Sequence, residues 1–119
     1  MAIQLTYRQE STVLLVEISG KWTAHDMHDA IGAARAEADQ RELASLLVDA
    51  RGVSLPGSEM TRFFAGVRWA ELFHARFRAA FVTEPLLFNG FALLVARNRG
   101  ANVAAFFDEA PARKWLQES

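Results

Sequence analysis

A chain of 119 residues has room for one hydrophobic core and not two, and 51% apolar with 23% charged residues is the composition of a folded domain, not of a disordered segment. The absence of cysteine excludes a disulfide framework, thiol catalysis and thiolate metal sites. A net charge of −1 gives no electrostatic ground for binding nucleic acid.

The first ten residues, MAIQLTYRQE, lack the basic start and apolar run of a signal peptide, and a cytoplasmic protein is expected. Ile3, Leu5 and Tyr7 alternate with polar residues, the period of a half-buried edge strand. Thr12 to Ile18 is nearly continuous apolar sequence, as in a strand covered on both faces. The short Gln9-Glu10-Ser11 link joins these two strands as an antiparallel hairpin. From Thr23 the period becomes helical. Thr23 can cap, Asp26 suits the first turn, and Met27, Ile31, Ala34 and Ala38 form a narrow stripe.

Ser45 to Asp49 reads as a short buried strand ending in an acid, and Ser58 opens a helix running to about Phe73. A strand at Arg78–Val82 leads to a third helix entered through Glu84 and Pro85 and stopped by Gly100. The apolar window Leu86–Ala96 is interrupted by Asn89 and Gly90 and is too short to span a bilayer. Val103 to Phe107 is the last strand, and Asp108 caps a closing helix through Leu116. The order ββαβαβαβα implies an α/β fold with right-handed crossovers, a mostly parallel sheet and an antiparallel edge strand.

Two stretches make this order specific. SLLVDARGVSLPGSEM, residues 45–60, resembles the signature of the STAS family (sulfate transporter and anti-sigma-factor antagonist): an apolar strand ending in Asp, a Gly-Val-x-apolar loop, and a serine at a helix entrance. Here Asp49, Gly52-Val53-Ser54-Leu55 and Ser58 fill those places. ANVAAFFDEAPARKWL, residues 101–116, resembles the closing strand and helix of the small stand-alone SpoIIAA-like proteins, with Trp115-Leu116 its most recognisable part. LLFNGFALLVA, residues 86–96, is similar to a helix of the same family. The resemblance covers essentially residues 1–119 as one domain and implies a STAS-like layered fold, related in shape to the CRAL-TRIO lipid-transfer domains. The sequence departs from the phosphorylatable pattern at the serine. Ser58 follows Gly57 and precedes Glu59, whose negative charge opposes an incoming phosphate.

Each candidate site has a structural reading beside its functional one. A serine at a helix start usually serves as an N-cap, and Ser58 is otherwise a phosphorylation or anion site on the positive end of the helix dipole, with Ser54 a weaker version. Asp49, with Gly52 and Gly57, is expected to organise the loop by accepting backbone hydrogen bonds. In the helix after Ser58, Met60, Phe64 and Val67 define one apolar face, while Phe63, Trp69, Leu72 and Phe73 carry it around the cylinder. That exceeds what covering a sheet requires. Core packing, partly beneath the third helix with Phe88 and Phe91, is the commoner use of such an excess; an interaction or ligand surface is the other. Were that surface exposed, Arg62 and Arg68 would flank it.

His25-Asp26-Met27-His28-Asp29 has metal-like spacing but no further ligand, and reads as an ordinary exposed first turn. Cations in Arg97-Asn98-Arg99 complement the end of a helix dipole. His74 has no catalytic partner at recognisable spacing, and no nucleophile elbow, phosphate loop or dinucleotide fingerprint occurs. No cofactor or metal is therefore expected. The expected function is a non-enzymatic STAS-like regulatory module contacting a protein partner, or a second copy of itself, through residues 50–58 and the following helix. The alternative is a carrier of a small apolar or amphipathic ligand held between the second and third helices.

Overall fold

The computed structural model describes residues 3–20, 24–52, 59–84 and 90–118. Strands β1 (Ile3–Glu10) and β2 (Val13–Gly20) form the hairpin, with Ser11 and Thr12 between them. Helix α1 (Ala24–Gln40), β3 (Ser45–Gly52), α2 (Glu59–Leu72), β4 (Arg78–Val82), α3 (Phe91–Asn98), β5 (Val103–Phe106) and α4 (Glu109–Gln117) follow in turn. The five strands form one sheet in the order β1-β2-β3-β4-β5. β1 is antiparallel to β2, and every other neighbouring pair is parallel.

Side-chain alternation explains the apolar runs. Leu14, Val16 and Ile18 of β2, with Leu46 and Val48 of β3, point to one face. There they meet Ile31, Ala34 and Ala38 of α1, Ala65 of α2, and Ala92 and Ala96 of α3. The intervening Leu15 and Leu47 point the opposite way and join Ala80, Val82 and the α4 residues Ala112 and Leu116. Both faces of the central strands are therefore covered, which a period-two strand with one wet side does not need.

The departures from expectation are local. α2 starts and stops within one residue of the expected bounds. Described α3 begins at Phe91; the entry through Pro85 lies in residues 85–89, outside the described residues. Gly100, at φ 91°, stands just beyond that helix in the left-handed region a side chain resists. Asp108 occupies the N-cap position of α4 in extended backbone, but its side chain makes no capping hydrogen bond.

The strand expected to end at Asp49 continues to Gly52, which corrects the position of the acid. Pairing of β2 with β3 passes from Glu17–Asp49 to Ser19–Gly52, so β3 carries one residue more than β2 across that step. This is a bulge on β3. It leaves a backbone amide out of the ladder, and Asp49 supplies the missing acceptor: Arg51 N donates to Asp49 Oδ1 at 3.1 Å.

Candidate interaction surface

Ser54, Gly57, Ser58 and Phe88 lie outside the described residues. Asp49, Gly52 and Arg51 are described, at the carboxyl end of β3, where open α/β sheets commonly place their sites. Asp49 and Arg51, two apart on a strand, share one face. Arg51 Nε and Nη2 donate to the two carboxylate oxygens of Asp49 at 3.0 and 2.8 Å, and Arg51 Nη2 lies 3.9 Å from Glu109 at the start of α4. The side-chain hydrogen bond from Arg51 pulls the Asp49 carboxyl below its ordinary value against the opposing effect of burial, and the same bond holds the Arg51 guanidinium still more firmly protonated. Asp49 is thus a bracing group tied to its neighbour, and its proton is held off by that contact. Arg51 escaped the sequence reading, although an Asp-x-Arg pair on a strand places opposite charges on one side.

A small cleft beside this pair has an apolar floor of Leu15 and Leu47 and a rim of Arg8, Glu17, Asp49 and Glu109. Larger space, about 400 Å³, opens at the opposite end of the sheet beside His74, Arg76 and Phe77. Arg35 there is committed: it pairs with Asp39 at 3.1 Å, donates to the Leu72 carbonyl and lies 4.1 Å over the Phe77 ring.

The apolar excess of α2 divides between core and solvent. Ala65, Trp69 and Leu72, with Phe73 directly after the helix, face the sheet. Trp69 stacks on Phe81 with centroids 4.6 Å apart, and Phe73 meets the same ring edge-on at 6.2 Å. Phe73 is 0% exposed. The expectation that Phe73 belongs to an interaction surface is therefore wrong, and half-buried Trp69 is a core residue as well. Met60 and Phe64, expected together with Val67 on one apolar face, are 64% and 51% exposed. Half-buried Val67 lies on the same side of the cylinder by helical spacing.

Gly66 sets this rotation. A Cβ built on it would lie 2.6 Å from the Ala92 carbonyl oxygen and 2.7 Å from Val95 Cβ. The glycine must therefore face α3, which at 100° per residue turns Ala65 and Trp69 to the sheet and Met60 and Phe64 outward. The same close approach leaves no space for a ligand between α2 and α3 at their crossing. On α3, Leu94 is 56% exposed and Phe91 36% exposed. Phe63 packs edge-on against Phe64 at 5.6 Å, and the Arg99 guanidinium lies 5.6 Å from the Phe63 ring centre.

Of the residues with metal-like spacing, the His25 side chain lies outside the described residues and His28 is half-buried on α1. Among the described residues no group of three or more His, Asp or Glu is placed to hold a metal ion. Among them, too, no helix is long and apolar enough to cross a membrane.

No protein-family model matches the sequence, and no curated protein matches it. Solved structures do. The crystal structure of an anti-sigma factor antagonist from Mycobacterium paratuberculosis aligns with a TM-score of 0.69 at 16% identity, over 98% of this chain and 96% of that one. An uncharacterized protein of the DUF3478 family from Shewanella loihica PV-4, described as having a SpoIIAA-like fold, aligns with a TM-score of 0.56 at 19% identity, over 97% of this chain and 93% of its own. With the element order, the antiparallel edge strand and the parallel remainder of the sheet in place, the chain has the SpoIIAA-like fold.

Proposed function

We propose that the chain is a non-enzymatic STAS-like regulatory module that binds another protein through residues 50–58 and α2. One observation carries this reading: Met60 and Phe64 stand outward in the first turns of α2 while the inward side is already filled by Ala65, Trp69 and Leu72. Large apolar side chains left outside a completed core are the usual mark of a contact surface. The Asp49–Arg51 chelate supports it, because it braces the end of β3 that leads into the 53–58 segment. The likeness to an anti-sigma factor antagonist, a protein that acts on another protein, supports it further. Ser58, two residues before Met60, is where a phosphate would add charge beside this stripe and weaken an apolar contact. The close packing at Gly66 counts against a carrier holding its ligand between α2 and α3.

The test is a photo-crosslinking amino acid placed at position 60 or 64, and at Thr6 on the far side of the sheet, in the native cell. The expected outcome is a discrete protein adduct from 60 and 64, lost when Leu94→Glu is added. Adducts from position 6 with none from α2 would overturn the proposal.

A further inference from the structure

We propose that the outer edge of β1 is a self-association surface, on which β1 of a second copy pairs antiparallel with Thr6 of each copy at the two-fold axis. The surface shares no residue with α2. The hairpin turn fixes which backbone groups of β1 are available to it. Ser11 and Thr12 form a two-residue loop closed by Glu10 and Val13, so those two residues exchange both of their hydrogen bonds. Alternation then turns the N–H and C=O of Arg8, Thr6 and Gln4 toward β2, and those of Gln9, Tyr7, Leu5 and Ile3 outward. Among the described residues none of these outward groups has a hydrogen-bond partner.

Edge strands are normally blunted by shortness, proline, a bulge or charge. The other edge of the sheet, β5, is four residues long. β1 is eight long, holds neither proline nor glycine, and stays in register with β2 from end to end. Its charges are satisfied within the copy: Arg8 meets Glu10 at 3.1 Å, and Glu10 meets Arg113 at 2.8 Å. With Thr6 on the axis every outward residue of β1 is paired, Ile3 with Gln9 and Leu5 with Tyr7, each twice. Gln4 lies opposite Arg8, so no like charges meet. Moving the axis to Leu5 or Tyr7 leaves outward groups of β1 unpaired, and moving it to Arg8 sets two guanidinium groups against each other.

Both faces of β1 suit a joined sheet. On the α1 side Leu5 and Tyr7 are half-buried, and the pairing lays Leu5 of one copy beside Tyr7 of the other. Glu37 and Arg41 of α1, which both lie near Tyr7, pair with each other at 2.8 Å and add no net charge at that rim. On the opposite side Gln4, Thr6 and Arg8 are exposed and polar, as a water-facing sheet requires.

The chain has no cysteine, so single introduced thiols report the register. Cα atoms of a non-hydrogen-bonded antiparallel pair lie about 4.5 Å apart, within reach of a disulfide. On mild oxidation of the full chain, Thr6→Cys is expected to form a covalent dimer far faster than Gln4→Cys or Arg8→Cys alone, and those two are expected to link rapidly when mixed. Sedimentation equilibrium of the unaltered chain is expected to show monomer and dimer exchanging within the micromolar-to-millimolar range. The dissociation constant should rise about tenfold with Thr6→Lys, which sets two cations opposite each other. Gln9→Pro should also weaken the dimer, since it removes an outward N–H and no bond to β2. Phe64→Glu should leave it unchanged. A monomer at every concentration, or a Thr6→Cys disulfide no faster than the controls, overturns the proposal. A dimer indifferent to Thr6→Lys and broken by Phe64→Glu also overturns it, by moving self-association to α2. Missing photo-adducts from positions 60 and 64 would remove the α2 contact and leave the β1 pairing standing.

Discussion

Asp49 shows how a single side chain can serve the backbone and a neighbour together. Its carboxylate takes the amide that the β3 bulge leaves unpaired and both arms of Arg51. A carboxyl lowered in the folded state contributes stability that is present above its unfolded value and lost as pH falls through the folded one. The direction for Asp49 is downward, chiefly through the Arg51 side-chain bond. Stability should thus be flat near neutrality and decline below about pH 4. Asp49→Asn should cost about 1 kcal/mol at pH 7, since the site is partly open to water, and should flatten the acid decline. Urea denaturation at pH 7 and pH 3 measures both, and an unchanged slope with pH would remove Asp49 as its source. Ala75 offers the opposite opportunity. It holds φ at 58°, fixed by Asn102, whose side chain donates to the Ala75 carbonyl and whose amide donates to the Phe73 carbonyl. A left-handed residue with a Cβ costs about 1–2 kcal/mol, part of which glycine returns as extra freedom of the unfolded chain. Ala75→Gly should raise the melting temperature by about 4 °C in a thermal scan; no rise would mean the turn is unstrained.

At the scale of elements, α2 is where the sequence pattern leaves placement most open. Apolar residues surround its cylinder, so periodicity alone does not choose which side faces the sheet. Gly66 held that information, because a residue without a side chain marks where another backbone approaches closely. The Ala92 carbonyl oxygen it faces is main chain and cannot move as a flexible side chain would. Gly66→Ala should therefore destabilise the protein by about 1–3 kcal/mol, although alanine is the better helix former by about 1 kcal/mol. The sign alone is diagnostic in chemical denaturation. A neutral or stabilising outcome would mean that α2 and α3 are not locked at this point, and the rotation that exposes Met60 and Phe64 would lose its cause. The 53–58 segment, by contrast, was legible only as a resemblance. Its serines have no periodicity or partner spacing that fixes their neighbours.

Over the whole molecule, the sheet order was legible because covered strands read as unbroken apolar runs, and helices between them impose parallel crossovers. What sequence did not convey is how unequally the two faces are covered. Among the described residues three helices lie on one side; on the other is α4, nine residues long, anchored by Ala112 and Leu116 and by the partly buried Trp115. Long-range polar ties supplement that small apolar footing: Arg113 pairs with Glu10 of β1 at 2.8 Å, and Arg78 lies 4.0 Å over the Trp115 ring and donates to the Glu118 carbonyl. Burial of two small-to-medium side chains and part of one tryptophan, with a few exposed ion contacts, contributes far less than the layer that α1, α2 and α3 form with the sheet. Local opening free energies follow such differences in buried apolar contact. Amides of residues 112–117 should consequently exchange with deuterium at a free energy well below that of β2 and β3, and should do so at low denaturant before the sheet opens. Arg78→Ala should lower the α4 value further and leave the central strands unchanged. If the α4 amides exchange only with global unfolding, the short helix is as firmly built into the cooperative unit as the strands beneath it, and the two faces are energetically equal despite their unequal cover.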